Sequence, residues 1–124
     1  MSYDNHYVSV FYFAVSFWGY VNTKGEEVIE PQYNDATDFK NDYAKIQKYG
    51  KYGFIDKKGN IIVKPEYEHI ISGSPAEKNI IVILLGKYGI IDNAGSIIVD
   101  CNYDLIAPFS EGLAVIREND KYGY

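Results

Sequence analysis

One cysteine and two histidines are all that 124 residues supply of the side chains that most often staple or equip a small protein. Cys101 alone forms no internal disulfide, and with His6 and His69 it falls short of a closed tetrahedral zinc site. No metal, cofactor or covalent staple is therefore expected, and burial of apolar surface has to hold the fold. Positive charge is scarce as well: 12 Lys and Arg stand against 17 Asp and Glu, for a net charge of −5. A groove that follows a phosphate backbone would work against that field, which argues against direct nucleic-acid binding but not against competition with nucleic acid for a basic partner. No Lys or Arg precedes Lys24, so the apolar stretch Val8 to Phe17 lacks the basic flank of a secretory leader, in spite of small residues at Ala14 and Ser16. It is also too short to span a membrane. A cytoplasmic protein without membrane attachment is the expectation. Sustained helical periodicity is missing too.

What the chain has in excess is aromatic residues, 16% of positions, with 13 Tyr among them. With Ile and Val in quantity, that composition favours strands. Sliding the chain against itself shows a repeat, which outweighs local propensity as a guide to fold. Trp18-Gly19-Tyr20-Val21-Asn22 recurs as Tyr52-Gly53-Phe54-Ile55-Asp56 after 34 residues and as Tyr88-Gly89-Ile90-Ile91-Asp92 after a further 36, and Tyr122-Gly123-Tyr124 begins a fourth copy. Each complete copy then reaches a Gly (Gly25, Gly59, Gly95), an apolar pair (Val28-Ile29, Ile62-Val63, Ile98-Val99) and a Tyr-terminated triplet (Pro31-Gln32-Tyr33, Pro65-Glu66-Tyr67, Cys101-Asn102-Tyr103). Further on, Phe39 to Ile46 matches Phe109 to Ile116 at an offset of 70.

Each landmark has a mechanical reading. In Asp56-Lys57-Lys58-Gly59 the Asp opens a turn by bonding its own backbone, and the Gly supplies the positive φ that closes a hairpin through a type I turn with a bulge. The glycines of the aromatic-Gly pairs sit inside strands, where they mark close approach under a neighbouring ring; the competing reading is that they let a ligand touch the backbone. Pro31 and Pro65 are expected to end a strand. Ala44-Lys45-Ile46-Gln47 and Ala114-Val115-Ile116-Arg117 alternate as half-buried strands, which lead through links such as Tyr49-Gly50-Lys51 or Gly86-Lys87 into the next aromatic-Gly strand. The unit is a meander of three or four short strands. Residues 8 to 15 align with its last strand, so both chain ends are expected to close as hairpins.

These residues resemble the WG-repeat family, named for an aromatic-Gly pair with Trp in its commonest form. The resemblance covers roughly residues 10 to 124 and rests on landmarks recurring in order. Trp18-Gly19 matches outright; Tyr52, Tyr88 and Tyr122 replace the Trp; Cys101 stands in the Pro slot; and Ser74 to Asn79 replaces the Phe-x-Glu-Gly-Leu-Ala segment in the middle copy. The resemblance implies an all-β fold of tandem 34-to-36-residue meanders stacked in a single small antiparallel domain, with an interaction role and no assigned catalysis. The copies span about 18–51, 52–87 and 88–121, flanked by a half copy at 7–17 and a truncated fourth at 122–124.

No constellation points to catalysis. Asp56 and Asp92 open turns, a slot that Asn22 fills in the first copy, and residues recurring in every copy are structural before they are catalytic. Ser72 and Ser74 lack the strand-turn-helix setting of a nucleophile elbow, Cys101 occupies a proline slot, and no Gly-rich loop opens a helix. The expected function is a non-enzymatic protein-interaction module. Its sharper form is a small acidic inhibitor or adaptor that occupies a basic surface of a larger nucleic-acid-handling complex, as a phage-type antagonist of a defence enzyme would. The alternative is a carbohydrate-binding repeat that stacks sugars on exposed faces of Trp18, Tyr52 and Tyr88. Comparing equivalent strands places Phe11 and Phe13, then Ile81 and Ile83, where the second copy has Lys45 and Gln47. Those four residues are the expected surface for a protein partner or a homodimer, unless the fold itself covers that face.

Overall fold

The computed structural model describes residues 6–12, 15–118 and 121–123, with side chains described for 17–118. Among them there is no helix, and so none long and apolar enough to cross a membrane. Fourteen strands form four sheets in which each strand pairs only with its sequence neighbours: β1 (His6–Tyr12), β2 (Val15–Val21) and β3 (Glu27–Tyr33); β4 (Asp35–Ala36), β5 (Tyr43–Lys48), β6 (Lys51–Asp56) and β7 (Ile61–Tyr67); β8 (His69–Ser72), β9 (Ile80–Leu84), β10 (Lys87–Ile91) and β11 (Ile97–Tyr103); β12 (Leu105–Ile106), β13 (Ile116–Glu118) and β14 (Lys121–Gly123). The repeat is therefore a tandem antiparallel meander.

The turn after each aromatic-Gly strand forms as its residues dictate. Asp56 Oδ1 accepts the backbone N–H of Lys58 and of Asn60, each at 2.9 Å, Gly59 N–H donates to the Asp56 carbonyl at 3.0 Å, and Gly59 takes φ +88°. Asn22 and Asp92 repeat the arrangement with Gly25 and Gly95. The matched segments at offset 70 likewise share one structure, a tight turn closed by reciprocal backbone bonds between Lys40 and Tyr43 and between Ser110 and Leu113.

The strand glycines answer to a different demand. Trp18 pairs with Tyr33 and Tyr20 with Ile29, so Gly19 alone faces Glu30, Pro31 and Gln32. This bulge brings backbone over the glycine: a Cβ at Gly19 would lie 2.5 Å from the Ile29 carbonyl oxygen and 2.6 Å from Pro31 N. Gly53 and Gly89 meet the equivalent strands. Close approach is thus the reason for these glycines, but the nearest atoms belong to the backbone of the next strand, joined at Gly89 by the Cys101 sulfur, and not to an aromatic ring. The bulge also corrects the reading of the prolines. Pro31 and Pro65 lie inside β3 and β7 and do not end them; at Pro31 the bulge leaves no ladder bond for proline to break.

Each long strand changes sheet at one residue. Asn34, Glu68 and Asp104 stand between β3 and β4, β7 and β8, and β11 and β12, and their N–H groups donate to the carbonyls of Gln47, Ile83 and Arg117.

The chain divides into two compact units, residues 1–65 and 66–124. In the first, Tyr20, Ile29, Tyr33, Ala36, Phe39, Ala44, Ile46 and Ile55 form the core, Phe39 meeting Tyr20 edge-on at 4.7 Å while the Tyr20 hydroxyl donates to the Thr37 carbonyl. In the second, Ile81, Ile90, Ile106 and Ala114 are buried, with Tyr88, Val99, Tyr103 and Ile116 packed against them.

Candidate interaction surface

The most exposed large apolar side chains sit at equivalent hairpin tips. Between paired Lys48 and Lys51 the chain turns through Tyr49-Gly50, and between paired Leu84 and Lys87 through Leu85-Gly86. All four turn residues have positive φ, 52° and 79° in the first hairpin and 53° and 75° in the second, as a two-residue type I′ turn demands. Asn or Gly is the usual first residue of such a turn, since a Cβ there costs roughly 1 kcal/mol. Here the position holds Tyr49, 87% exposed, and Leu85, 84% exposed.

The sheet-changing residues hold these tips in place. Asn34 Oδ1 accepts the Tyr49 N–H at 2.8 Å, and the two Glu68 carboxylate oxygens accept the N–H groups of Leu85 and Gly86 at 3.0 and 3.1 Å. In the third copy Asp104 instead pairs with the Lys87 ammonium. Each of the first two tips is thus a strained turn, clamped through its backbone, that offers an apolar side chain to solvent.

Charge is divided unequally. Residues 1–65 carry eight Lys and eight carboxylates, whereas residues 66–124 carry four cations and nine carboxylates. The whole net charge of the chain therefore belongs to the second unit. Among the described residues, so do six of the eight large apolar residues that stand exposed: Ile71, Leu85, Ile97, Ile98, Phe109 and Leu113. Exposed apolar side chains in a unit of one net sign suit a protein partner of the opposite sign.

The titratable groups with displaced pKa values serve the fold. Partial burial works to raise the Asp56 carboxyl, but the Asn60 side chain, the backbone N–H groups of Asn60 and Lys58 and the Lys58 charge together hold it below the ordinary aspartate value. Burial pushes the Cys101 thiol up, offset in part by a backbone bond from Leu84, which leaves it a poor nucleophile. Tyr33 and Tyr67 are raised by burial. An open depression of about 280 Å³ is lined by Asp42, Tyr43, Asp56, Lys57, Lys58 and Asn60, but Asp56 is committed to its turn and Lys57 pairs with Asp42 at 3.2 Å. No group of His, Cys, Asp and Glu able to hold a metal ion occurs among the described residues.

Of the surface expected from sequence, only Ile81 and Ile83 have described side chains. Ile81 is 1% exposed and part of the core of the second unit, which corrects its assignment to a partner surface; β9 is buried on both faces, with Ile80 and Val82 fully enclosed. Ile83 is half-buried, paired between His69 and Tyr88. The side chain of Phe11 and the whole of Phe13 lie outside the described residues. The backbone register does not follow the expected alignment: Gly19 pairs with Val8 where Gly53 pairs with Ile46, so Tyr7 and Ser9 are the counterparts of Lys45 and Gln47. The rings that sugar binding would use are half-buried: Trp18 and Tyr88 pack against the two cores, and the Lys45 ammonium lies 5.5 Å over Tyr52. The sequence places short links at Tyr49-Gly50-Lys51 and Gly86-Lys87, as found, but does not mark the exposed Tyr49 side chain or the type I′ turns that hold it and Leu85.

Comparison with known proteins adds one finding. The family model described as WG containing repeat matches residues 18–52, 52–87 and 88–122. No curated protein and no solved structure matches the chain.

Proposed function

This chain belongs to the WG-repeat family, and we propose that it works as a non-enzymatic protein-interaction module whose contacts are the hairpin tips Tyr49 and Leu85 and the acidic, apolar surface of residues 66–124. The tips carry the reading. Holding a large apolar side chain in solvent on a left-handed backbone costs stability twice, once in strain and once in solvation, and a partner that covers the side chain recovers the second. In its sharper form the module is a small acidic inhibitor or adaptor that occupies a basic surface of a nucleic-acid-handling complex, a form supported by the concentration of net charge in one unit.

The test is the double variant Tyr49→Asn, Leu85→Asn. Asn tolerates positive φ, so this protein should melt no lower than the wild type and up to about 1 kcal/mol higher per site. The tagged wild-type chain, incubated with lysate of its source cell, should retain a partner that the variant loses, and raised salt should weaken capture. A wild-type chain that retains nothing, or a variant that captures as well as the wild type, refutes the proposal.

A further inference from the structure

We propose that the outer edge of β11 is a docking edge, on which an extended basic segment of a partner protein adds as a further strand of the β8-to-β11 sheet. The inference rests on the interaction-module reading and names one surface and its ligand chemistry.

β3, β7 and β11 are equivalent, and each is the last strand of its sheet, with one edge that no described strand covers. An uncovered edge is a template for pairing unless proline or charge guards it. β3 is guarded by Pro31 and by exposed Glu27 and Glu30. β7 is guarded by Pro65 and by exposed Lys64 and Glu66. β11, Ile-Ile-Val-Asp-Cys-Asn-Tyr, has lost the proline and keeps a single charge: Cys101 fills the proline slot, Asp100 stands where β3 has Glu30 and β7 has Lys64, and Ile97 and Ile98 stand 63% and 52% exposed. The strand also packs less tightly than its counterparts. Val99 and Tyr103 are half-buried where Ile29, Val63, Tyr33 and Tyr67 are 5% exposed or less. Of three equivalent edges, only this one is apolar and free of proline.

Charge selects the occupant. Asp92 opens the turn into β11, Asp100 lies within it, and their unit holds nine carboxylates against four cations. A second copy would bring the same carboxylates to the edge. An extended segment that alternates apolar and basic residues meets both the backbone and the charge.

Two synthetic octapeptides, one alternating Val with Lys and one alternating Val with Glu, test this with the 124-residue chain by hydrogen exchange and mass spectrometry. The Val/Lys peptide should slow exchange across Ile97–Tyr103 by about tenfold or more, in a salt-sensitive way, and the Val/Glu peptide should not. Two variants that keep the fold should abolish the protection: Cys101→Pro, which restores the residue of the other two copies, and Ile98→Lys, which charges the edge. Protection located elsewhere, equal protection by both peptides, variants that protect like wild type, or protection that appears without peptide as the chain dimerises would overturn the proposal. The two readings fail separately. A chain that takes the peptide on β11 but captures no cellular protein refutes the interaction module alone, whereas cellular capture undiminished by Ile98→Lys refutes only the docking edge.

Discussion

Adding one methyl group at Gly19 tests whether the bulged strand explains the aromatic-Gly pair. The backbone there has no left-handed φ, so in open space alanine would stabilise the chain by about 0.4–1 kcal/mol, by restricting the unfolded state. The new Cβ would instead meet Ile29 O at 2.5 Å, Pro31 N at 2.6 Å and the Glu30 carbonyl carbon at 2.7 Å. All three atoms are backbone, and the pairs Trp18 with Tyr33 and Tyr20 with Ile29 hold the bulge at both ends, so no side chain can swing aside. Relief requires β3 to move, and overpacking of that kind costs about 3 kcal/mol, at the upper end of the usual range. For a chain of 124 residues melting in one transition, roughly 4 °C is lost per kcal/mol, hence about 12 °C for Gly19→Ala. The control is Gly25→Ala, at φ +80° with nothing within 4 Å, which should cost about 1 kcal/mol through its backbone alone. Thermal melts by far-UV circular dichroism, with urea titrations to confirm equal m-values, decide the matter. A Gly19→Ala protein as stable as the Gly25→Ala protein, or more so, would refute the steric explanation.

Asp56 supplies a test by pH: its carboxyl is held below the ordinary value in the folded chain, so its contribution is present above about pH 4 and is lost as pH falls through the lower folded value. Asp56→Asn, which copies Asn22 in the first repeat, should therefore lose less melting temperature than wild type between about pH 4 and about pH 2, by a small margin because the carboxylate still meets solvent; parallel pH profiles would count against the assignment. Phe39 and Phe109 are equivalent in sequence, yet one is 7% and the other 39% exposed. Phe39→Ala should cost about 3 kcal/mol and Phe109→Ala under about 1 kcal/mol in chemical denaturation, and similar losses would show that copy position does not set burial.

How far the sequence could be read depended on whether a landmark recurred. The side-chain oxygens of Asn22, Asp56 and Asp92 accept backbone N–H groups of their own turns, two and four residues on, as their spacing from Gly25, Gly59 and Gly95 implies, and Phe39 to Ile46 and Phe109 to Ile116 share one turn because local chemistry repeats with local sequence. The first hairpin broke the period. From the start of β2 at Val15 to Gly19 the strand is two residues longer than from Lys51 to Gly53, a change that makes Tyr7 and Ser9 the counterparts of Lys45 and Gln47 and leaves no mark in composition. Ile81 failed for another reason. Alternation assigns one face to solvent only when the sheet has a bare face, and β9 is covered on both. The links at Tyr49-Gly50 and Gly86-Lys87 were legible, but their turn type was not, because neither Tyr49 nor Leu85 is a residue that announces a type I′ turn.

Because every described strand pairs only with the strand before or after it in the chain, none of these hairpins has to wait for a distant segment to arrive. Loop closure, the slow step for most β proteins, is here reduced to closing turns of a few residues many times over. The sheet changes at Asn34, Glu68 and Asp104 then join units that have already formed, so the chain should fold faster than β sandwiches of its length, and it could begin at any copy.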